Sequence, residues 1–328
     1  MPAAEHAAAG STIIGLGHAQ PARVVTNDEI AEKVDTSDEW IRSRTGIVTR
    51  RVAGDDETVP TLAIAAARDA LAHAGAAPDT IDFVIVASTT AEQRSPNVAG
   101  TVSATLGMSG PAIIDINVAC SGFVHALALA DMTIKAGTAR RALVIGAEKL
   151  TAFTDWNDRT TCVLTADGAG AMVIERSDTA DIGPVAWGSA PDLVNAVRIQ
   201  PPSNTFAQEG RAVYRWALSR GAEHARRAVA LAGLSLDDIA VLITHQANLR
   251  IIEPIAEQLG LTDRIVVTDV IESGNTSAAS IPLGFAKWWN AGRLPADRHA
   301  LLFGFGGGFA FAAQVVRTPR LGPAAPTG

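Results

Sequence analysis

This sequence of 328 residues has few cysteines, no net positive charge and few long apolar runs. Its two cysteines are too few for a disulfide framework, and the opening MPAAEHAAAG lacks the basic stretch and apolar core of a secretory signal. The apolar run that begins near Cys120 is broken by Asp131 and is shorter than a membrane span. These scarcities favour a cytoplasmic protein that inserts into no membrane.

The charge and the histidines exclude two further classes of function. A net charge of −7 argues against broad affinity for nucleic acid, which needs a concentrated basic surface. His73, His125 and His224 have no acidic or cysteine neighbours at the spacing of metal ligands, so no metal site is predicted. What is present is apolar content, 48% of residues, enough for one large core or two ordinary ones.

The sequence contains an internal duplication. Residues 67–85 (ARDALAHAGAAPDTIDFVI) align without a gap with residues 225–243 (ARRAVALAGLSLDDIAVLI), and nine of the nineteen positions are identical. In each copy an alanine-rich helix pattern ends at a glycine, and an aspartate-containing turn and a buried strand follow it. The chain is therefore predicted to consist of two similar α/β halves.

The boundary between the halves is expected within residues 176–183. We assign an N-terminal half to residues 11–178 and a C-terminal half to residues 179–320, with flexible ends at 1–10 and 321–328. Alternating strands and helices in two similar halves predict sheets covered by helices, with functional groups collecting where the halves meet.

Cys120 stands between a strand-like run, AIIDINVA, and a helix-like run, SGFVHALALADMTIKAG. The first-turn N–H groups and the dipole of such a helix would stabilise a thiolate, the form of cysteine that attacks carbonyl carbon. A free cysteine taken alone is more often a buried structural residue. We read the second cysteine, Cys162, as structural, in a probable strand TCVLTA.

His245 and Asn275 are the partners expected for Cys120. A histidine at a strand end is often a satisfied core residue, and an asparagine within GNTS is usually a turn residue. All three lie near strand ends or helix starts of a duplicated architecture, and this conjunction favours a common site. The glycines of FGFGGGF (303–309) do not fit a dinucleotide fingerprint, because a strand-like run follows them.

Several motifs together resemble one family. These are SDEWIRSRTGI (37–47), DINVACSGF (115–123), DRTTCVLTADGAGA (158–171), HQANLRI (245–251), GNTSAASIP (274–282) and FGFGGGF. The chain resembles the β-ketoacyl-acyl-carrier-protein synthases of type III, thiolase-fold condensing enzymes that start fatty-acid synthesis. The resemblance implies a five-layer α/β/α/β/α sandwich of two related halves and a homodimer.

The resemblance also implies a reaction and its residues. Cys120 would accept an acyl group from acyl-coenzyme A, while His245 and Asn275 would stabilise the enolate that forms as malonyl carrier protein loses carbon dioxide. The N–H groups of Cys120 and Gly307 would hold the other oxyanion, and Phe305 would pack against the reacting centre. Coenzyme A is a substrate in this reaction, and no cofactor is expected.

The remaining site residues are binding residues. Trp40, Arg44 and Arg159 are expected to hold the adenine and phosphates of the coenzyme. Arg215 and Arg250 match the family positions at which an acidic carrier protein docks. For each arginine, a solvated surface position is the alternative.

Ser95 departs from the acetyl-specific members of the family, which place a bulky aromatic residue there against the acyl pocket of the partner subunit. The smaller serine suggests that longer or branched primers are accepted. Two other functions stay open: priming of a polyketide or another specialised product, and a non-condensing partner that only binds carrier protein or shuttles acyl groups.

Overall fold

Two mixed five-stranded sheets, one in each half of the chain, form the frame of the molecule in this computed structural model, which describes residues 10–320. The flexible ends expected at 1–10 and 321–328 lie outside the described residues, except that Gly10 is the first residue of a strand. The elements of the first half are β1 (Gly10–Ala19), β2 (Val24–Thr26), α1 (Asn27–Ala31), α2 (Asp38–Thr45), β3 (Thr49–Arg51), α3 (Val59–Ala74), β4 (Phe83–Ala87), α4 (Val98–Thr105), β5 (Ala112–Ile116), α5 (Gly122–Lys135), β6 (Arg141–Lys149) and β7 (Asp167–Ser177).

The second half repeats the core of the first and adds a hairpin. Its elements are β8 (Ile182–Ser189), β9 (Val197–Gln200), β10 (Thr205–Gln208), α6 (Gly210–Trp216), α7 (Ala222–Leu231), β11 (Ile239–Thr244), α8 (Leu249–Leu259), β12 (Ile265–Val266), α9 (Val270–Ser273), α10 (Ser280–Asn290), β13 (His299–Phe305) and β14 (Ala310–Arg317). A π-helical turn, Ala217–Gly221, joins α6 to α7.

The two sheets have the same topology. Their strand orders are β1-β7-β6-β4-β5 and β8-β14-β13-β11-β12. In both, the first three strands pair antiparallel and the last three pair parallel. Along the chain, β7 ends at Ser177 and β8 begins at Ile182, so these two strands lie on either side of residues 178–181.

The duplicated segments fold alike, and the reason is local. The helices α3 and α7 are each followed by a glycine with positive φ, Gly75 (+58°) and Gly233 (+70°). A short 3-10 turn then leads into a strand, through Pro78–Thr80 to β4 and through Leu236–Asp238 to β11. Glycine adopts this left-handed conformation without the steric cost of a Cβ, so it ends both helices at the same point.

The core has three helical layers and two sheet layers. Side chains of α5 and α10 pack between the two sheets in one cluster, which includes Phe123, Leu127, Phe285 and Trp289. The alanine-rich α3 and α4 cover the outer face of the first sheet, and α6, α7 and α8 cover that of the second. The predicted five-layer α/β/α/β/α sandwich is confirmed.

Two equivalent turns lie where the halves meet. The 3-10 turn Ala119–Ser121 precedes α5, and the 3-10 turn Ser277–Ala279 precedes α10, 158 positions later. The first residue of each has positive φ, 44° at Ala119 and 48° at Ser277. This conformation costs free energy in a residue other than glycine and is typical of functional sites. The offset equals that of the sequence duplication.

The strand expected at TCVLTA is wrong. Residues 161–164 form turns, with backbone bonds from Cys162 N to Asp158 O (3.0 Å) and from Leu164 N to Thr161 O (2.9 Å). Only Thr165 makes an isolated bridge, to Asn275. Cys162 is buried in an apolar cluster, in accordance with a structural role. The apolar, β-branched residues that suggested a strand are buried in the core, but the backbone that carries them forms a turn.

Among residues 10–320, no helix is both long and apolar enough to cross a membrane. β5 is an edge strand of the first sheet, and its Ile113 and Ile114 are 43% and 45% exposed.

Candidate active site

Cys120 lies in the 3-10 turn directly before α5, buried beneath the turn that follows β13. Its position at the start of a helix is the one predicted. The thiol donates a hydrogen bond to Ser277 Oγ at 3.7 Å, so the two equivalent turns touch through these side chains.

The expectation of a resting thiolate is wrong. Burial raises the pKa of the Cys120 thiol to about 11, and the hydrogen bond between Cys120 and Ser277 opposes that rise only in part. A helix N-terminus contributes about 0.3–1 kcal/mol to an anion, which is less than the cost of removing the sulfur from water. Cys120 therefore rests as a neutral thiol at physiological pH.

His245 follows β11 and is almost fully buried. Its Nδ1 lies 2.7 Å from Ser280 Oγ. Ser280 Oγ also accepts a bond from the Gln246 N–H at 3.3 Å, which leaves the serine proton free to be donated to Nδ1. When Ser280 donates this proton, Nδ1 is the acceptor and the imidazole hydrogen is on Nε2. Burial lowers the pKa of His245 to about 3, so the ring is neutral at physiological pH.

Asn275 is held by both halves of the chain. Its backbone N–H bonds to Leu164 O (2.9 Å), and its carbonyl oxygen accepts from Ala166 N (3.0 Å). The side-chain Oδ1 accepts a hydrogen bond from Ser277 N at 2.9 Å. Because a backbone N–H requires an acceptor, this bond identifies Oδ1 and leaves the Nδ2 hydrogens as donors.

The three residues line one narrow cavity of about 120 Å³. Cys120, His245 and Asn275 share its wall with Phe305, Tyr214 and Asn248. The Phe305 ring meets the His245 ring edge-to-face, with centroids 6.1 Å apart, and restrains the imidazole. The cavity therefore contains a nucleophile and two neutral hydrogen-bond donors.

The glycines after β13 let the backbone approach Cys120. An ideal Cβ at Gly306 would lie 2.7 Å from Cys120 Sγ, and one at Gly304 would lie 2.9 Å from Ser121 Cα. The backbone N–H groups of Gly307 and Cys120 are near the Cys120 thiol, and both lower its pKa. Two backbone donors thus converge on the sulfur.

Cys120 also faces a second, wide cavity of about 460 Å³. Its wall includes Leu150, Val197, Ile199, Phe206 and Gly307. Val197 and Phe206 of the β9–β10 hairpin line both cavities, so the hairpin and Cys120 separate them. The sequence did not indicate this hairpin.

The residues expected to hold the coenzyme form a surface patch beside the narrow cavity. The Arg159 guanidinium stacks over the Trp40 ring, 4.6 Å from its centroid, and Arg159 Nη1 bonds to Asp35 O at 2.8 Å. Arg44 is exposed, and its carbonyl oxygen accepts from Asn248 Nδ2 at 3.0 Å. Asn248 lines the narrow cavity and so connects it to this patch.

The two expected docking arginines lie at the rim of the narrow cavity. Arg250 stacks over the Tyr214 ring at 5.8 Å, and the exposed Arg215 is next to Tyr214 on α6. Ser95 lies elsewhere, on an exposed loop before α4, and it lines neither the narrow nor the wide cavity of this single chain.

Three polar residues of the site were not predicted. Ser277 bonds to the thiol, Ser280 bonds to the imidazole, and Glu148 is a fully buried carboxylate at the end of β6. Both serines stand in the motif that contains Asn275, and the glutamate interrupts an apolar strand, RALVIGAEK. A charged residue inside such a strand was the available signal.

Comparison with known proteins gives matches along most of the chain. A family model described as 3-oxoacyl-[acyl-carrier-protein] synthase III matches residues 114–191, and its C-terminal counterpart matches residues 229–318. A beta-ketoacyl-[acyl-carrier-protein] synthase III of Streptomyces avermitilis is 56% identical, over 94% of this chain and 99% of the relative.

Solved structures agree with the sequence relatives. The priming β-ketosynthase of the R1128 polyketide biosynthetic pathway superposes with a TM-score of 0.93 at 35% identity, covering 97% of this chain and 98% of the other. The 3-oxoacyl-[acyl-carrier-protein] synthase III of Aquifex aeolicus gives 0.90 at 38% identity, covering 94% and 100%.

Proposed function

This chain belongs to the 3-oxoacyl-[acyl-carrier-protein] synthase III family, and from that membership we propose that it joins an acyl-coenzyme A primer to malonyl carrier protein by decarboxylative condensation. The product is a 3-oxoacyl carrier protein. The observation that carries the proposal is the narrow cavity, in which one thiol faces a neutral imidazole and a carboxamide.

In the first half-reaction, Cys120 takes the acyl group. Its sulfur attacks the thioester carbonyl of the primer, and the oxygen becomes negatively charged within reach of the N–H groups of Cys120 and Gly307. Donors placed for such an oxyanion contribute about 3–4 kcal/mol each. Coenzyme A then leaves, and the acyl chain remains on Cys120 as a thioester.

In the second half-reaction, His245 and Asn275 hold the malonyl thioester carbonyl. His245 Nε2–H and Asn275 Nδ2–H donate to this oxygen, and they stabilise the enolate that forms when carbon dioxide leaves. The enolate carbon attacks the acyl-Cys120 carbonyl. Loss of carbon dioxide generates the carbanion without a strong base, which suits a histidine that stays neutral. This chemistry calls for no bound cofactor.

The partners follow from the surfaces around the site. The patch of Trp40, Arg44 and Arg159 suits the adenine and phosphates of the coenzyme. Arg215 and Arg250 suit an acidic carrier protein whose malonyl arm enters the narrow cavity. A second copy of the chain is proposed to pair along the exposed edge of β5.

The primer is proposed to occupy the wide cavity, whose apolar residues Leu150, Val197, Ile199 and Phe206 would contact chains longer than acetyl. The similarity to a priming ketosynthase of polyketide synthesis supports a second candidate, the same chemistry used to start a specialised product. A panel of acyl-coenzyme A substrates tests both ideas. Strict selection of acetyl would contradict the first.

The experiment that tests the function separates its two steps. Intact-protein mass spectrometry after incubation with acyl-coenzyme A should show one acyl group on Cys120, and none on Cys120→Ala. His245→Ala should still acquire the acyl group but lose decarboxylation of malonyl carrier protein by about 100-fold or more. Full condensation by either variant would overturn the proposal.

A further inference from the structure

Asn117 is the counterpart of Asn275 in the first half of the chain. The two asparagines are 158 positions apart, the offset of the duplication, and each stands two positions before the residue with positive φ in its 3-10 turn. Asn275 Oδ1 accepts a hydrogen bond from Ser277 N at 2.9 Å. In the same way, Asn117 Oδ1 accepts a hydrogen bond from Ala119 N at 3.4 Å. The same kind of side-chain bond therefore holds both turns.

The second of these turns shows where this geometry points a backbone N–H. Ala278 N donates a hydrogen bond to Glu148 Oε1 at 3.3 Å, so the turn presents this N–H to a carboxyl oxygen. Ala278 is the counterpart of Cys120, and Gly306 is the counterpart of Glu148, both at the offset of 158. Because Gly306 has no side chain to fill the equivalent place, an oxygen of the substrate can accept from the Cys120 N–H there.

Ala119 determines the direction in which the Cys120 N–H points. Its φ and ψ orient the peptide group that carries this N–H, and a positive φ of 44° is strained for a residue with a Cβ. Asn117 Oδ1 holds the N–H of Ala119 and also accepts from Thr89 Oγ1 at 2.9 Å, which anchors the carboxamide on the loop after β4. An ideal Cβ at Gly307 would lie 2.7 Å from Ala119 Cβ, so the turn also packs against the residue that supplies the second donor.

We propose that Asn117 is a positioning residue of the acyl-transfer step: its Oδ1 holds Ala119 in the strained conformation that directs the Cys120 N–H at the carbonyl oxygen of the primer. The inference rests on the proposed function. Asn117 lines the wide cavity together with Cys120, and its task requires only an acceptor oxygen. The task of Asn275 differs, because its Nδ2 hydrogens must also donate to the malonyl thioester.

The test measures single-turnover acylation of Cys120 by quenched-flow mass spectrometry, over a range of concentrations of the acyl-coenzyme A that wild type accepts fastest. Asn117→Ala should lower the maximal rate about tenfold, because a displaced N–H loses part of the stabilisation that an oxyanion donor supplies. The primer concentration at half-maximal rate should change by less than about twofold, since the oxyanion exists only in the transition state. Release of carbon dioxide from malonyl carrier protein should also stay within about twofold of wild type, because it depends on His245 and Asn275.

Replacement by aspartate separates the need for an acceptor from the need for a carboxamide. Asn117→Asp keeps an acceptor for Ala119 N, so at high ionic strength, where its added charge is screened, acylation should stay within about twofold of wild type. Asn275→Asp keeps the bond to Ser277 N but loses its donors, so carbon dioxide release should fall about 100-fold while Cys120 is still acylated. The two asparagines should thus respond in opposite ways to the same substitution.

Two further variants support the comparison. Thr89→Val removes the hydroxyl that anchors Asn117 and should slow acylation about threefold; it decides the question if Asn117→Ala does not fold. Asp238→Ala is the matched control, because Asp238 Oδ2 accepts from Ser235 N at 2.8 Å in an exposed turn before β11. This control should acylate at the rate of wild type.

Three results would overturn the proposal. They are acylation by Asn117→Ala within about twofold of wild type, an Asn117→Asp variant as slow as Asn117→Ala, and equal losses of acylation and carbon dioxide release in Asn117→Ala. The third result would leave Asn117 a structural role only. Absence of acylation in wild type would instead refute the proposed function.

Discussion

Replacement of Gly306 by alanine should disable the nucleophile through a single methyl group. An ideal Cβ there would lie 2.6 Å from Cys120 Cβ and 2.7 Å from Cys120 Sγ. Optimal separations of non-bonded carbons are about 3.5–4.0 Å, so the sulfur must move by roughly 1 Å. The φ of Gly306, 164°, is one that any residue adopts, and the effect therefore comes from the contact alone.

The size of the effect follows from this displacement. A shift of about 1 Å in a reacting atom costs about 100-fold in rate, and the added methyl group destabilises the core by about 1–3 kcal/mol. Single-turnover acylation of Cys120, followed by mass spectrometry, measures the first quantity. Urea unfolding measures the second.

Gly308→Ala provides the control two residues away. A Cβ at Gly308 would meet no atom within 4 Å, but its φ of +65° is costly for alanine. This variant should lose about 1–2 kcal/mol of stability and keep its acylation rate. Acylation by Gly306→Ala within twofold of wild type would refute the argument that glycine is required for close approach to the sulfur.

Three further predictions concern other buried polar groups. Ser280→Ala should slow decarboxylation of malonyl carrier protein about tenfold while acyl transfer is unchanged, because the His245 Nδ1 loses the hydrogen bond that fixes its tautomer; equal slowing of both steps would contradict this. The free energy of unfolding of wild type should fall by about 2 kcal/mol between pH 7 and pH 5 through His245, whose pKa drops from 6.5 unfolded to about 3 folded, so stability is lost as pH falls through this window. His245→Asn should lack that part of the loss in denaturant titrations at the two pH values. Arg50→Met should cost about 2–3 kcal/mol in urea unfolding, because the buried guanidinium bonds to Asn27 Oδ1 (2.8 Å) and Val163 O (2.9 Å); unchanged stability would show that these bonds contribute little.

The repeat pattern alone predicted much of the fold. The glycine and the turn of residues 67–85 recur at a constant offset, and both fix the path of the chain locally, at Gly75 and Gly233. The five layers came from the family resemblance. The prediction of a strand at TCVLTA was wrong because the segment folds into turns whose backbone N–H groups bond to Asp158 O. The apolar pattern of the segment does not reveal these turns.

The sequence predicted which main residues meet in the candidate site, but it did not predict their protonation states. Cys120, His245 and Asn275 are recognisable by motif. The pKa of the thiol depends on how deeply it is buried, which no local pattern reports. Ser277 and Glu148 were missed for a related reason: their contacts join segments 157 and 130 positions apart in the sequence.

Arg159 and Trp40, which belong to the patch proposed to bind adenine, are stacked directly on each other. At 4.6 Å from guanidinium carbon to ring centroid, the two groups occupy the volume that a flat base would need between them. A base sandwiched by both requires them about 7 Å apart, twice the optimal contact of about 3.5 Å. A base that binds between Arg159 and Trp40, as proposed, must therefore separate a cation–π pair worth about 0.5–1 kcal/mol. The stack competes with the base and weakens its binding.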